Sequence, residues 1–180
     1  DLVRRIAVAA DRAREARLPA EFLAIASSPE ITRGELAALI GTRLERVIGT
    51  AAQREVVVTD VQGHWAEPWI TQVSRAGAME PFANHTFQPR ASLRRADLAT
   101  AVSRLVTLMA AGNPTLRVHL AARPRIADLS PGHLDYPAVS VAVAAGVMPL
   151  VDGDRFEVSR PVPGSEALDV ISRLRALTGT

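Results

Sequence analysis

Two arginines stand where the sequence prepares to start a helix. Arg33 follows Thr32 and Arg95 follows Arg94, and each is trailed two positions later by an acid, Glu35 and Asp97. A first helical turn carries N–H groups without intrahelical partners and the positive end of the helix dipole, so it favours an anion. A guanidinium placed there adds a planar fork that suits a carboxylate or phosphate. Trp65, after Gly63-His64, opens a further helix and could stack its indole on a sugar ring while its N–H donates. Asp60, just ahead of it, can cap a turn or hold an arginine of a neighbouring segment, capping being the commoner use. Arg33, Glu35, Asp60, Trp65, Arg95 and Asp97 are therefore the candidate ligand-binding residues. The plain alternatives are solvated arginines and a tryptophan that only packs. Leu134, which stands in Trp65's place in a later copy of the motif, argues that packing is at least half of that residue's job.

Other chemistries find little to stand on. His64, His85, His119 and His133 lie far apart without metal-ligand spacing. Asp152-Gly153-Asp154 begins like a calcium loop but has Pro163 where the bidentate glutamate belongs. There is no cysteine, which excludes thiol catalysis and cysteine-ligated metal. No glycine-rich phosphate loop, serine elbow or acid pair stands out, so the expectation is a protein that is not an enzyme and needs no cofactor. The pI of 10.2 suggests nucleic acid, yet the net charge is only +2. All 21 basic residues are arginine. Almost nothing therefore titrates between neutrality and about pH 10, and a small excess becomes a large pI. Specific nucleic-acid binding is not expected. The sharpest rival is residues 31–50, which also read as a DNA-binding helix-turn-helix with Gly41 at the turn and 42–46 as the recognition helix. Its aligned second copy has Val102-Ser103 there and stays helical, which argues against that reading.

The elements that must position these residues are helical. Apolar residues make up 48% of the chain and aromatics only 4%. Such a core of Ala, Val, Leu and Ile suits close helix packing. No run of about 18 apolar residues could span a membrane, and no signal peptide is read. The N-terminal stretch 1–17 has helical spacing and is expected to end a preceding domain, with Leu18-Pro19 closing it. Thr32 and Glu35 form a capping box that opens a helix lined by Leu36, Leu39, Ile40, Leu44, Val47 and Ile48 and stopped by Gly49. A connector over 51–59 includes an extended Val56-Val57-Val58. The Trp65 helix tolerates Pro68 in its first turn and runs to Gly77. A loop over 78–91 is anchored in the core by Phe82 and Phe87. The next helix turns Leu98, Val102, Leu105, Val106 and Met109 inward and closes at Gly112-Asn113. A short turn over 116–122, a helix over 135–145, a tight turn at Asp152-Gly153 and a helix over 165–177 complete the chain.

The chain repeats itself. Gly63-His64 recurs as Gly132-His133, Pro68 as Pro137, Gly77 as Gly146, Met79 as Met148 and Phe87 as Phe156. The offset is the same throughout (132 minus 63, 146 minus 77 and 156 minus 87 agree), which is the signature of an internal repeat. Thr32-Arg33-Gly34-Glu35 is the surviving tail of an earlier copy. These residues resemble the S-layer homology domain, through Asp60-Val61, Trp65-Ala66, Gly77, Phe87-Gln88-Pro89 and Arg94-Arg95-Ala96-Asp97. The resemblance implies an all-α module of three pseudo-equivalent helical repeats around a central three-helix bundle, each bundle helix flanked by its own Trp65-type helix. Residues 1–19 then precede a module over 20–180, with repeats at about 20–50, 58–112 and 125–178. It further implies a non-catalytic anchor in the cell envelope, exported to the bacterial surface or periplasm. The implied partner is a cell-wall polysaccharide or peptidoglycan-linked glycan, anionic and often pyruvylated, bound in grooves between repeats. A structural or protein-contact module on the same scaffold, facing other envelope proteins, is the second reading, because Met79-Glu80-Pro81 and Pro163-Gly164 depart from the family pattern.

Overall fold

The computed structural model describes residues 17–179, and the helix expected over 1–17 lies almost wholly outside them. Among the described residues there are eight α-helices and no strand beyond three isolated bridges. The helices are α1 (Ala20–Ala24), α2 (Arg33–Arg43), α3 (Glu45–Thr50), α4 (Glu67–Ala76), α5 (Arg95–Gly112), α6 (Arg117–Leu120), α7 (Tyr136–Ala144) and α8 (Gly164–Leu177). Short 3-10 turns follow α1 at Ile25–Ser27 and α5 at Pro114–Leu116.

The capping box at Thr32 forms as expected: the threonine hydroxyl accepts from Glu35 N at 3.3 Å and the Glu35 carboxylate accepts from Thr32 N at 2.6 Å. The helix does not run unbroken to Gly49. It kinks at Leu44 (φ −117°, ψ 28°), which keeps both Leu44 and Ile48 in the core. Gly49 lies inside α3 and stops nothing; the amide of Gln53 donates to the carbonyls of Ile48 and Ala51 and finishes the helix instead. Gly41 is no turn either. It sits in mid-helix, where a Cβ would come within 2.6 Å of the Trp69 ring, so glycine is there to admit the indole. The turn that a helix-turn-helix would place at Gly41 is therefore absent.

Val56-Val57-Val58 forms no strand. The α4 helix ends at Gly77 in the left-handed conformation (φ 76°). That is the glycine stop the sequence predicts. Phe87 is fully buried, whereas Phe82 is 44% exposed and is not a core anchor. Leu98, Val102, Leu105, Val106 and Met109 of α5 are all buried. In α8 the core is carried by Ala167, Val170, Ile171 and Leu174, with Leu168 and Leu177 packed at its edge.

Three segments meet backbone to backbone just ahead of α2, α5 and α8. Ile31 N donates to Val162 O (2.9 Å), Val162 N to Leu93 O (3.1 Å), and Leu93 N to Ile31 O (2.9 Å), closing a ring of three fully buried residues. From this ring α8 packs against both α2 and α5. The flanking helices are shifted by one register from expectation. α2 packs chiefly on α4, α5 on α7, and α8 on the 3-10 turn over Ile25–Ser27, so each long helix rests on the short helix that follows it around the ring. The reason is visible at the helix starts, which dock onto the following loop.

Candidate ligand-binding site

The helix starts are not open anion sites. Arg33 N and Gly34 N donate to the carbonyls of Ala91 and Pro89, and Arg95 N and Ala96 N to those of Arg160 and Val158. Gly164 N donates to Ser28 O. The N–H groups that the sequence left without partners are thus consumed in docking each helix onto a neighbouring loop. What remains for a ligand is the side chains.

Arg33 reaches over the loop that follows α4. Its Nε donates to Phe87 O (2.8 Å) and its Nη2 to Glu80 O (3.0 Å), while the guanidinium lies 4.7 Å from the ring centres of Phe82 and Phe87. Arg95 makes the same clasp one repeat further on, with Nε on Phe156 O (2.7 Å), Nη2 on Pro149 O (3.1 Å) and its plane 4.5 Å over Phe156. Beyond that the two sites part. Nη1 of Arg95 donates to Glu166, whose other oxygen accepts from Arg160 (2.8 Å), and the arginine is only 2% exposed. Burial first of all, with Arg160 nearby, lowers the Arg95 pKa to about 10, so it stays charged at neutral pH. Arg33 is half-buried, and its Nη1 has no hydrogen-bond partner among the described residues. Burial lowers its pKa, against the pull of Asp97 and Asp60 and with the push of Arg104.

The different fates follow from the acid at the third helical position. Pro163 has no N–H for a capping box, so Glu166 turns to Arg95 and Arg160. Asp97 is occupied with Arg94, accepting from its N at 3.0 Å and facing its Nε at 3.4 Å, and is a methylene shorter. Arginine has no acceptor, so this start holds only half a capping box. Glu35 is wholly engaged by Thr32 N and Oγ1. At the third start no arginine could replace Gly164, since a Cβ there would collide with Ile25 O.

Asp60 is a turn cap. Its two oxygens accept from Phe87 N and Gln88 N, both at 2.7 Å, and Asp128 does the same for Phe156 N (2.7 Å) and Glu157 N (2.8 Å). This holds Gln88 and Glu157 at φ 55° and 59°. That region is costly for side chains other than glycine. Burial would raise the Asp128 pKa, but those backbone donors outweigh it and hold the carboxyl below its ordinary range. Trp65 is half-buried, packed against the core and 5.9 Å edge-on from Trp69, with His64 at 5.9 Å on its other side. Leu134, at its place in the later copy, is 91% exposed, so that position is not a packing position there. Arg33, Asp60 and Asp97 thus gather about one loop, Arg95 lies at the next, and Trp65 and Glu35 serve the helix starts.

Sequence reading missed Arg54, Glu80 and Arg104, which complete the Arg33 surroundings. Glu80 accepts from Arg104 Nη2 (2.6 Å) and Arg54 Nη2 (3.1 Å), and Arg104 Nη1 reaches Gly77 O at 3.5 Å. Arg54 lies in a connector without periodicity, and Glu80 occupies a position held by Pro149 in the later copy, so neither carried a repeat signal. Glu166 was legible: a glutamate three residues after a proline cap has no backbone N–H to accept from.

Residues 59–99 match the family model of the S-layer homology domain. Over 77 residues the chain is 34% identical to a cellulosome-anchoring protein of Acetivibrio thermocellus, an alignment covering 41% of this chain and 17% of that protein's length. Residues 59–99 are therefore the part of the chain that reads as an S-layer homology domain. The matched segment holds α4, the loop clasped by Arg33, and the start of α5.

Proposed function

We propose that the chain is a non-catalytic anchoring module of the cell envelope, on the outer face or in the periplasm of an exporting cell. Its partner is an anionic wall polysaccharide or peptidoglycan-linked glycan. Residues 20–180 act as one unit of three repeats. Support for the unit comes from the ring at Ile31, Leu93 and Val162 and from the paired clasps of Arg33 and Arg95. Support for anchoring comes from the domain match and from the name of the relative. The observation that carries the ligand reading is Arg33 itself: a half-buried guanidinium, fixed by two carbonyls and two rings, with one terminal nitrogen still open. Its orientation is settled before a ligand arrives, so little side-chain entropy remains to be lost on binding.

The test is co-sedimentation of the chain with polysaccharide purified from a bacterial envelope, comparing wild type with Arg33→Ala. Wild type should pellet with the polymer, and the variant should lose at least about tenfold in affinity, the usual effect of deleting a charge-assisted contact. Equal pelleting of both would remove Arg33 from the ligand reading. A second reading, a protein-contact module without a ligand, is favoured by one observation: Arg95, the other arginine of the motif, is wholly used inside the fold. Failure of the wild type to pellet would select it.

A further inference from the structure

Three guanidiniums from three separate segments converge on one residue. Arg33 of α2 donates to the Glu80 carbonyl, while Arg54 of the connector and Arg104 of α5 hold its carboxylate. The carboxylate side chain is 40% exposed and its two arginines 53% and 35%. From these contacts we infer that the Glu80 carboxylate is an internal occupant of a carboxylate-binding site, and that a carboxylate borne by the ligand displaces it to reach Arg54 and Arg104 beside Arg33. The inference rests on the reading that the Arg33 site takes an anionic glycan.

Arg33, Arg54 and Arg104 face Glu80 and Asp97, with Asp60 committed to the loop backbone. Glu80 therefore cancels much of the field that would draw an anion in, and its removal leaves the cluster strongly positive. Donation from Arg104, more than any other influence, keeps its carboxyl ionised and below the ordinary range even against its partial burial. The same grip would serve any other carboxylate of similar size. Displacement costs little because ion pairs this exposed contribute little net stability. It is also specific to this place. At the later copy the residue is Pro149, and the internal carboxylate is Glu166, 19% exposed and locked between Arg95 and Arg160. That occupant is sealed, whereas Glu80 can swing into solvent.

The probe is malonate, a small dicarboxylate, titrated into the intact chain at constant ionic strength while the arginine Nε–Hε resonances are followed by NMR. In wild type the Arg54 and Arg104 signals should move and that of Arg95 should not. In Glu80→Gln the midpoint should fall by about threefold to tenfold, the combined size of two exposed ion pairs no longer competing. Arg104→Gln should abolish the response, and thermal melts verify that both variants fold. An unchanged or higher midpoint in Glu80→Gln, or the same shifts with chloride, overturns the inference. Parallel sedimentation with envelope polysaccharide separates this from the anchoring proposal. Tighter malonate binding without any pelleting would sink the anchoring function and leave the occupied site standing. Equal pelleting of wild type and Glu80→Gln, with no change in malonate midpoint, would do the reverse.

Discussion

Arg33 and Arg95 begin the same way and end differently. Both hold the guanidinium over a phenylalanine ring, both donate Nε to that residue's carbonyl, and both send Nη2 to a carbonyl earlier in the same loop. One then meets a half-buried glutamate and vanishes from the surface, and the other keeps a nitrogen for the outside. The arginine of this motif is thus first a structural clasp, joining a helix start to the loop beyond it. Ligand capacity is what is left over when the acid at the third helical position fails to reach across. A motif match alone cannot distinguish the two states, because the deciding residue lies in a different copy.

The largest effect is expected at the sealed site. Arg95→Ala leaves one oxygen of the half-buried Glu166 and the carbonyls of Phe156 and Pro149 without their donor, and we predict a loss of about 3–5 kcal/mol in urea unfolding. Arg33→Ala should cost only about 1–2 kcal/mol, since its pocket opens to water, while polysaccharide affinity falls much further than stability. Stability losses of equal size would mean that the two clasps are not different in kind. The sharper experiment closes the open site. Asp97→Glu supplies the missing methylene, so that the carboxylate can reach Arg33 Nη1 as Glu166 reaches Arg95. Unfolding should then shift by no more than about 0.5 kcal/mol, but polysaccharide binding should drop at least about threefold. Retained binding would separate the open nitrogen from the ligand.

The smallest effect is a pH dependence centred on the start of α4. His64 Nδ1 accepts from Ala66 N at 3.1 Å, which requires the unprotonated nitrogen, and burial together with Arg90 lowers its pKa from 6.5 against the pull of Asp60, Glu21 and Glu35. The folded state then binds fewer protons than the unfolded one, so stability should begin to fall as pH drops below about 6.5. His64→Asn keeps an acceptor and should abolish this step. A second decline belongs below about pH 4, where Glu80 and Asp128, both held below their ordinary values, take up protons on unfolding. His133 Nδ1 accepts the corresponding bond from Asp135 N at 3.2 Å.

Much of this was legible in the chain. Helix positions, the capping box at Thr32, the αL glycine at 77 and the buried face of α5 follow from periodicity and cap chemistry, which are local. The turn-capping role of Asp60 was the expected one. Long-range choices were not legible. Nothing local to Gly41 says that Trp69 will lie on it, and nothing local to Arg33 says that Ala91 and Pro89 will take its helix's N–H groups. The register of α2 on α4 was misjudged for the same reason: a sequence repeat shows which segments are alike, not which of them touch.

The ring of Ile31, Leu93 and Val162 has a consequence for when the fold can come into being. Two of its three bonds involve Val162, close to the C-terminal end of the described chain, and α8 must be in place to cover the turn after α1. Helical proteins with mostly local contacts fold fast, but closure between distant residues is slow and carries an entropic cost that only late contacts offset. A chain emerging from synthesis with α2, α4 and α5 already wound would wait, unclosed, for the segment that carries Val162 and α8. Its assembly should then appear as one slow cooperative step, with no stable fragment ending at the matched segment's boundary near residue 99.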